Sequence, residues 1–323
     1  MPTLPRFGAL LALAATVAAC GVSAQPRAAA PTGTTLTSCG RQITVTRPPS
    51  RVVTLDQSAT ELLLTLGVHD RIAGTSNHKT PVPDRFRAAY ERIPVLNPKI
   101  ITSEQLRAAG PDLAVSPFAS LFTKDRAGTR EELHALGLPT YVSAVDCPDG
   151  TADPFELLFQ DYTAMGRIFG VEERARALVE EQRAVIGSVR KAEGRPKVVW
   201  LYSMFNGIPY VAGHGGIPSA MSRVLGAENA FDDVDELWPE VTWEEIARRD
   251  PDVIVVGDLS ERGRPGDSAE EKIAKLRDTP VAAKLPAVRD NRFVTVPGIE
   301  MDPSVRSVNT LQLVAKGLRD HAR

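Results

Sequence analysis

Long apolar runs are scarce in this 323-residue chain. The one that stands out, Phe7 to Ala19, is too short to cross a bilayer as a stable helix, and no later segment looks transmembrane. Histidine is scarce as well. The five residues, His69, His78, His134, His214 and His321, show no close ligand spacing, which argues against a bare-metal centre of imidazole and carboxylate. There is no Gly-x-Ser-x-Gly elbow, Walker motif or HExxH, so nothing marks a hydrolase, an NTPase or a zinc protease. Gly213-His214-Gly215-Gly216 has no nucleophile elbow to serve and reads as a turn. The chain is therefore read as a non-enzyme with no catalytic residue. No charge of one sign dominates: the formal net charge is −2, and no footprint for nucleic acid appears.

Cysteine is the last scarcity, with three residues. Cys20 closes the apolar run in Val17-Ala18-Ala19-Cys20-Gly21, a pattern that resembles a bacterial lipobox following a signal sequence. Residues 1–20 are read as a lipoprotein signal peptide, with Cys20 the lipidated residue and the mature chain extracytoplasmic and membrane-anchored. A plain secretory signal with an incidental cysteine is the alternative. The Ala/Pro/Thr/Ser-rich stretch that follows reads as a flexible tether over 21–40. Two cysteines then remain in an exported chain, and Cys39 and Cys147 are expected to form a disulfide; two free thiols are the other reading.

What is present in quantity is alternating strand and helix. With 43% hydrophobic and 24% charged residues, the mature chain has the composition of a globular protein. Apolar strands are expected at 51–55, 71–74, 111–115 and 139–142, then at 198–201, 208–211, 252–256 and 293–296. Helices lie between them, and Pro81 to Pro98 is expected to be mostly connection. This implies parallel sheets with ligand loops at the carboxyl ends of the strands. Asp153, Pro154 and Glu156 open a helical stretch with a joint near Gly170. A helix from Val171 to Ala192 would measure roughly 33 Å. The fold class is α/β: two Rossmann-like lobes, 41–150 and 195–323, joined by a long spine helix within 151–194.

The lobes echo one another. Glu104 precedes Pro111-Asp112 at the same spacing as Glu244 precedes Pro251-Asp252. Each Glu follows a Ser or Thr cap, and Leu66-Gly67-Val68 matches Leu225-Gly226-Ala227. A helix-start acid favoured by the macrodipole explains either Glu alone; the matched pair points to function.

These stretches resemble the substrate-binding proteins of iron-siderophore, haem and vitamin B12 ABC importers. The resemblance rests on Arg51 to Leu55 with Ser58 to Leu63, Pro111-Asp112-Leu113, Leu136 to Pro139, Gly226 to Asn229, Trp238 to Thr242 and Leu285 to Arg289. It implies that Glu104 and Glu244 dock on arginines of a dimeric permease with its ATPase subunits, and that Trp238 lines the ligand cleft. One departure is that the first strand runs into Asp56-Gln57 where the family usually has Ser-Pro. The expected ligand is a ferric siderophore, with haem or cobalamin as alternatives and a bare-metal binder or exported enzyme further behind. Iron enters only as part of the bound chelate, with no resident metal or other cofactor, and the protein is expected to be a monomer. Trp238, Tyr202, Phe205 and Phe118 are expected to offer flat apolar contact, and Arg306 and Lys124 to supply positive charge. Glu300 and Asp302, expected at the same mouth, would favour a neutral or cationic hydroxamate complex. Tyr202, Tyr210 and His214 are the candidate axial ligands for haem.

Overall fold

The computed structural model describes residues 33–147 and 152–321. Cys20, the signal segment and the tether up to residue 32 lie outside the described residues. An antiparallel hairpin, β1 (Thr34–Ser38) and β2 (Arg41–Val45), precedes the first sheet. Residues 34–40, read from composition as tether, are therefore strand and turn. The first lobe then runs β3 (Val52–Thr54), α1 (Gln57–Thr65), β4 (Ile72–Ser76), α2 (Asp84–Tyr90), β5 (Val95–Asn97), α3 (Ser103–Ala108), β6 (Leu113–Ser116), α4 (Arg130–Ala135) and β7 (Thr140–Val142). Its parallel sheet has the order β5-β4-β3-β6-β7.

After α5 (Pro154–Phe169) and α6 (Glu172–Gly187), the second lobe is built from β8 (Lys197–Phe205), β9 (Ile208–Val211), α7 (Ile217–Leu225), β10 (Glu228–Asn229), α8 (Trp243–Arg249), β11 (Val253–Asp258), α9 (Ala269–Asp278), α10 (Pro286–Arg289), β12 (Phe293–Pro297) and α11 (Ser307–Asp320). The order β10-β8-β11-β12 is parallel, with β9 antiparallel on β8. The central strands β3, β6, β8 and β11 are nearly continuous apolar runs, buried on both faces. That is what a parallel sheet covered by helices on each side requires.

The echo has a structural meaning. The Asp112 carboxylate accepts from the Ser50 and Arg51 N–H groups at the entry to β3. Asp252 accepts from Lys197 N–H at the entry to β8. Each Pro-Asp thus pins the start of the neighbouring central strand. Thr102 rather than Ser103 caps α3, in a capping box with Gln105. Glu104 therefore follows its cap by two residues, as Glu244 follows Thr242.

The joint near Gly170 is a reversal. Gly170 adopts φ 68° at the end of α5, a conformation glycine enters without steric cost. Two 16-residue helices then pack side by side. The Arg183 guanidinium grips the Glu156 carboxylate with both Nη atoms, and Tyr162 Oη donates to Gln182 Oε1 at 3.2 Å. A Cβ on Gly166 would stand 2.6 Å from Ala175 Cβ, so glycine sets the closeness of the pair. The second helix stops at Gly187, short of the expected Ala192. Between the prolines of 81–98 the structure holds α2 and β5. Cys39 and Cys147 are disulfide-bonded, Cα to Cα 5.0 Å.

Candidate functional site

Each sheet reverses its strand order once, between β3 and β6 in the first lobe and between β8 and β11 in the second. Open parallel sheets bind ligands in the crevice beyond the strand ends at such a reversal. The segments leaving these strand ends face each other and enclose a cleft of about 460 Å³. From the first lobe come Asn77, Lys79, Ile100, Phe118, Ser120, Leu121 and Arg126. From the second come Tyr202, Ser203, Phe205, Tyr210, Trp238, Arg262 and Arg264. The lining holds four cationic side chains and no carboxylate.

The floor is a buried charge network. Lys79 Nζ lies 2.6 Å from Asp56 Oδ2 and 2.7 Å from Asp302 Oδ2, with none of the three side chains exposed. Asn77 Nδ2 donates to Asp56 at 2.7 Å, and Tyr202 Oη donates to Asp302 at 3.2 Å. Burial alone would lower the Lys79 pKa; the two carboxylates outweigh it and raise it, so the ammonium stays charged. Burial pushes Asp302 up, partly countered by Lys79. Asp56 also caps α1, accepting from Ser58 N–H at 2.9 Å. Where the family pattern has Ser-Pro, this chain thus has a cap that doubles as a counter-ion.

The second-lobe wall is a stack. Tyr202 and Trp238 lie face to face with ring centroids 4.1 Å apart and planes at 26°. Arg262 sits over the Tyr202 ring, 5.2 Å from its centroid, and its Nη2 donates to Tyr202 Oη at 3.0 Å. Burial lowers the Arg262 pKa, but Tyr202 and Asp267 reverse the shift and hold it raised. Opposite, the Lys79 ammonium lies 4.8 Å from the Phe118 ring centroid. Arg126 Nη1 donates to Ser120 O at 2.8 Å, and Arg264 is exposed.

The structure thus gathers Trp238, Tyr202, Phe205 and Phe118 around one cleft. It does not bring Arg306 or Lys124 there. Arg306 is buried behind the floor, 3.4 Å from Glu61 of the first lobe and 3.2 Å from Glu300. Lys124 is an exposed residue outside the lining. Glu300 and Asp302 are buried counter-ions of Arg306 and Lys79 and do not line the cleft. Glu300 and Asp302 therefore do not favour a neutral or cationic ligand. Lys79, Arg126, Arg262 and Arg264 are the cations of the cleft. Arg262 and Arg264 follow the carboxyl end of β11, where the loops of a parallel sheet carry ligand contacts.

The haem candidates are committed elsewhere. Tyr202 Oη is buried in the network, Tyr210 Oη donates to Glu240 at 2.7 Å, and His214 lies outside the cleft lining, 3.4 Å from Asp232. The Gly213 and His214 N–H groups donate to Leu237 O and Val234 O. Among the described residues no group of three or more metal-ligating side chains is gathered. Glu104 and Glu244 stand exposed in the first turns of α3 and α8.

The sequence profile described as "Periplasmic binding protein" matches residues 52–299. This chain belongs to that family. A cobalamin-binding protein of Halobacterium salinarum is 28% identical over 230 residues, 68% of this chain and 57% of that protein. The chain thus spans little more than half the length of that relative. A vitamin B12-binding protein of Vibrio parahaemolyticus is 29% identical over 268 residues, covering 82% of this chain and 87% of that protein. Among solved structures, the ABC-type Fe3+-hydroxamate transport system protein from Saccharomonospora viridis superposes with a TM-score of 0.75. It is 28% identical, and the match covers 88% of this chain and 98% of that one. The Saccharomonospora protein thus shares this chain's mixed α/β fold with parallel sheets.

Proposed function

We propose that this protein is the extracytoplasmic substrate-binding component of an ABC importer, and that it captures an anionic ferric siderophore between its lobes. The observation that carries the ligand reading is the lining: four cations, no carboxylate, and an aromatic wall. Lys79 and Arg262 are neutralised from behind by Asp56, Asp302 and Asp267. Arg126 and Arg264 bring charge from opposite lobes that a multivalent anion would match. Trp238, held flat by Tyr202, gives a rigid face for a planar chelating group. The names of the Halobacterium and Vibrio relatives support a second reading, cobalamin in the same cleft.

Anchoring through Cys20 and docking through Glu104 and Glu244 belong to the same proposal. The lipobox pattern supports the first, and labelled palmitate entering the wild type but not Cys20→Ser is its expected signature. The matched, exposed helix starts support the second, since such a carboxylate can accept a forked arginine.

The ligand is tested by titrating tryptophan fluorescence with an anionic ferric triscatecholate, a cationic ferric hydroxamate, haemin and cobalamin. The triscatecholate is expected to quench most strongly at the lowest concentration. Tight cobalamin or haemin binding with no response to either ferric chelate would overturn the siderophore reading.

A further inference from the structure

Ile208, at the tip of the second-lobe hairpin beside Phe205, is not among the residues that line the cleft. Strands β8 and β9 are joined by Asn206 and Gly207, with φ of 51° and 80°, as a two-residue turn of this kind demands. The register pairs Phe205 with Ile208 and Ser203 with Tyr210. Directly opposed residues of an antiparallel ladder share a face, as do residues two apart along a strand. Ser203, Phe205 and Tyr210 line the cleft, so Ile208 belongs to the same face. Met204, paired with Pro209, is buried in the core.

At its tip that face is uncovered: Phe205 is 51% and Ile208 40% exposed. The other large apolar side chains this exposed among the described residues, Val95, Leu136 and Leu313, stand singly on separate elements. The hairpin is also fixed in place. Trp243 Nε1 donates to Gly207 O at 3.0 Å, and residues 239–241 pair with β9 through Val211 N–H to Pro239 O and Val241 N–H to Pro209 O. The backbone carrying the apolar pair is therefore held by the fold itself, which lowers the entropy cost of using it.

We propose that Phe205 and Ile208 form a second ligand subsite, an apolar lip that takes an alkyl or aryl arm while the anionic end of the same ligand lies against Arg262 and Arg264. The occupant is the ligand because the lip is continuous with the cleft through Phe205 and Tyr210. This rests on the anionic-chelate reading and adds that the ligand is amphiphilic.

The probe is 8-anilinonaphthalene-1-sulfonate, an aryl group joined to a fixed anion, titrated into the wild type, Phe205→Ser/Ile208→Ser and Arg264→Ser. Saturable fluorescence enhancement is expected for the wild type, and about tenfold weaker binding when either part of the site is removed. Octanesulfonate should displace the probe far better than methanesulfonate from the wild type, with that preference lost in Phe205→Ser/Ile208→Ser. Undiminished probe binding by that variant, or no saturable binding by the wild type, would overturn the lip. Ferric chelates that bind the wild type while the probe does not leave the chelate reading standing and remove this one. Probe binding with no response to any ferric chelate removes the chelate reading and leaves the lip as a subsite for an amphiphilic anion of another class. Uptake lost in Phe205→Ser/Ile208→Ser, with probe and chelate affinities intact, would assign the lip to the permease and sink the proposal.

Discussion

Asp302 of the second lobe holds the Lys79 ammonium of the first at 2.7 Å, with neither side chain exposed. A second bridge runs the other way, from Arg306 of the second lobe to Glu61 of the first. Each cation also has a carboxylate from its own lobe, Asp56 for Lys79 and Glu300 for Arg306. Removing one partner of a buried pair strands the other. Lys79→Met leaves Asp56 and Asp302 facing each other and is expected to cost about 3–5 kcal/mol. Asp302→Asn leaves Lys79 with Asp56 and is expected to cost less, about 1–3 kcal/mol. Urea denaturation of the two variants tests the order; equal losses would contradict the shared-cation account.

The disulfide closes 108 residues around the first lobe. Cys39→Ser/Cys147→Ser is expected to lower stability by about 2–5 kcal/mol, chiefly by freeing the unfolded chain. Ligand affinity should be unchanged, because neither cysteine lines the cleft. Denaturation with and without reductant checks the first statement, and fluorescence titration the second.

Asp161 is buried in α5, and that burial pushes its pKa up to about 6 although Tyr141, Ser143 and Ala144 all donate to it. In the unfolded chain an Asp titrates near ~3.9. The folded form therefore holds the extra proton between the two values. Stability is expected to fall as pH rises from about 4 to about 6, by about 3 kcal/mol from this group, and to level off above. Asp161→Asn should lack that step. Subtracting its pH–stability curve from that of the wild type isolates the residue, and a flat difference would refute the assignment.

Glu104→Ala/Glu244→Ala is expected to retain wild-type ligand affinity and lose uptake. An exposed ion pair contributes only about 0–1 kcal/mol, so each single variant should be milder than the double. Normal uptake by the double variant would remove the docking role.

Legibility followed the range of the interactions. Central strands such as Val52 to Thr54 and Val253 to Val256 announce themselves because burial on both faces demands an apolar run. Gly67 and Gly226 mark the ends of α1 and α7, where each takes positive φ. Between 81 and 98 the prolines misled: Pro83 stands at the α2 boundary, and Pro94 and Pro98 bracket β5. Proline at an element's edge removes no hydrogen bond that the element needs. Arg306 was unreadable for another reason. Its partner Glu61 is 245 residues away, and no local pattern shows that two buried carboxylates will claim a guanidinium at the start of a helix. Arg262 and Arg264 lie in a stretch without periodicity, so only their place after β11 could have shown them.

The hairpin and the disulfide together set how the fold carries mechanical load. Tension applied at residue 33 enters through β1, whose pairing with β2 ends at Ser38 and Arg41. Once β1 peels, the pull reaches Cys39 and passes covalently to Cys147. The sheet closed within that loop is bypassed. Cleft residues Asn77, Lys79 and Phe118 lie inside the loop. They are sheltered from whatever drags on the front of the chain.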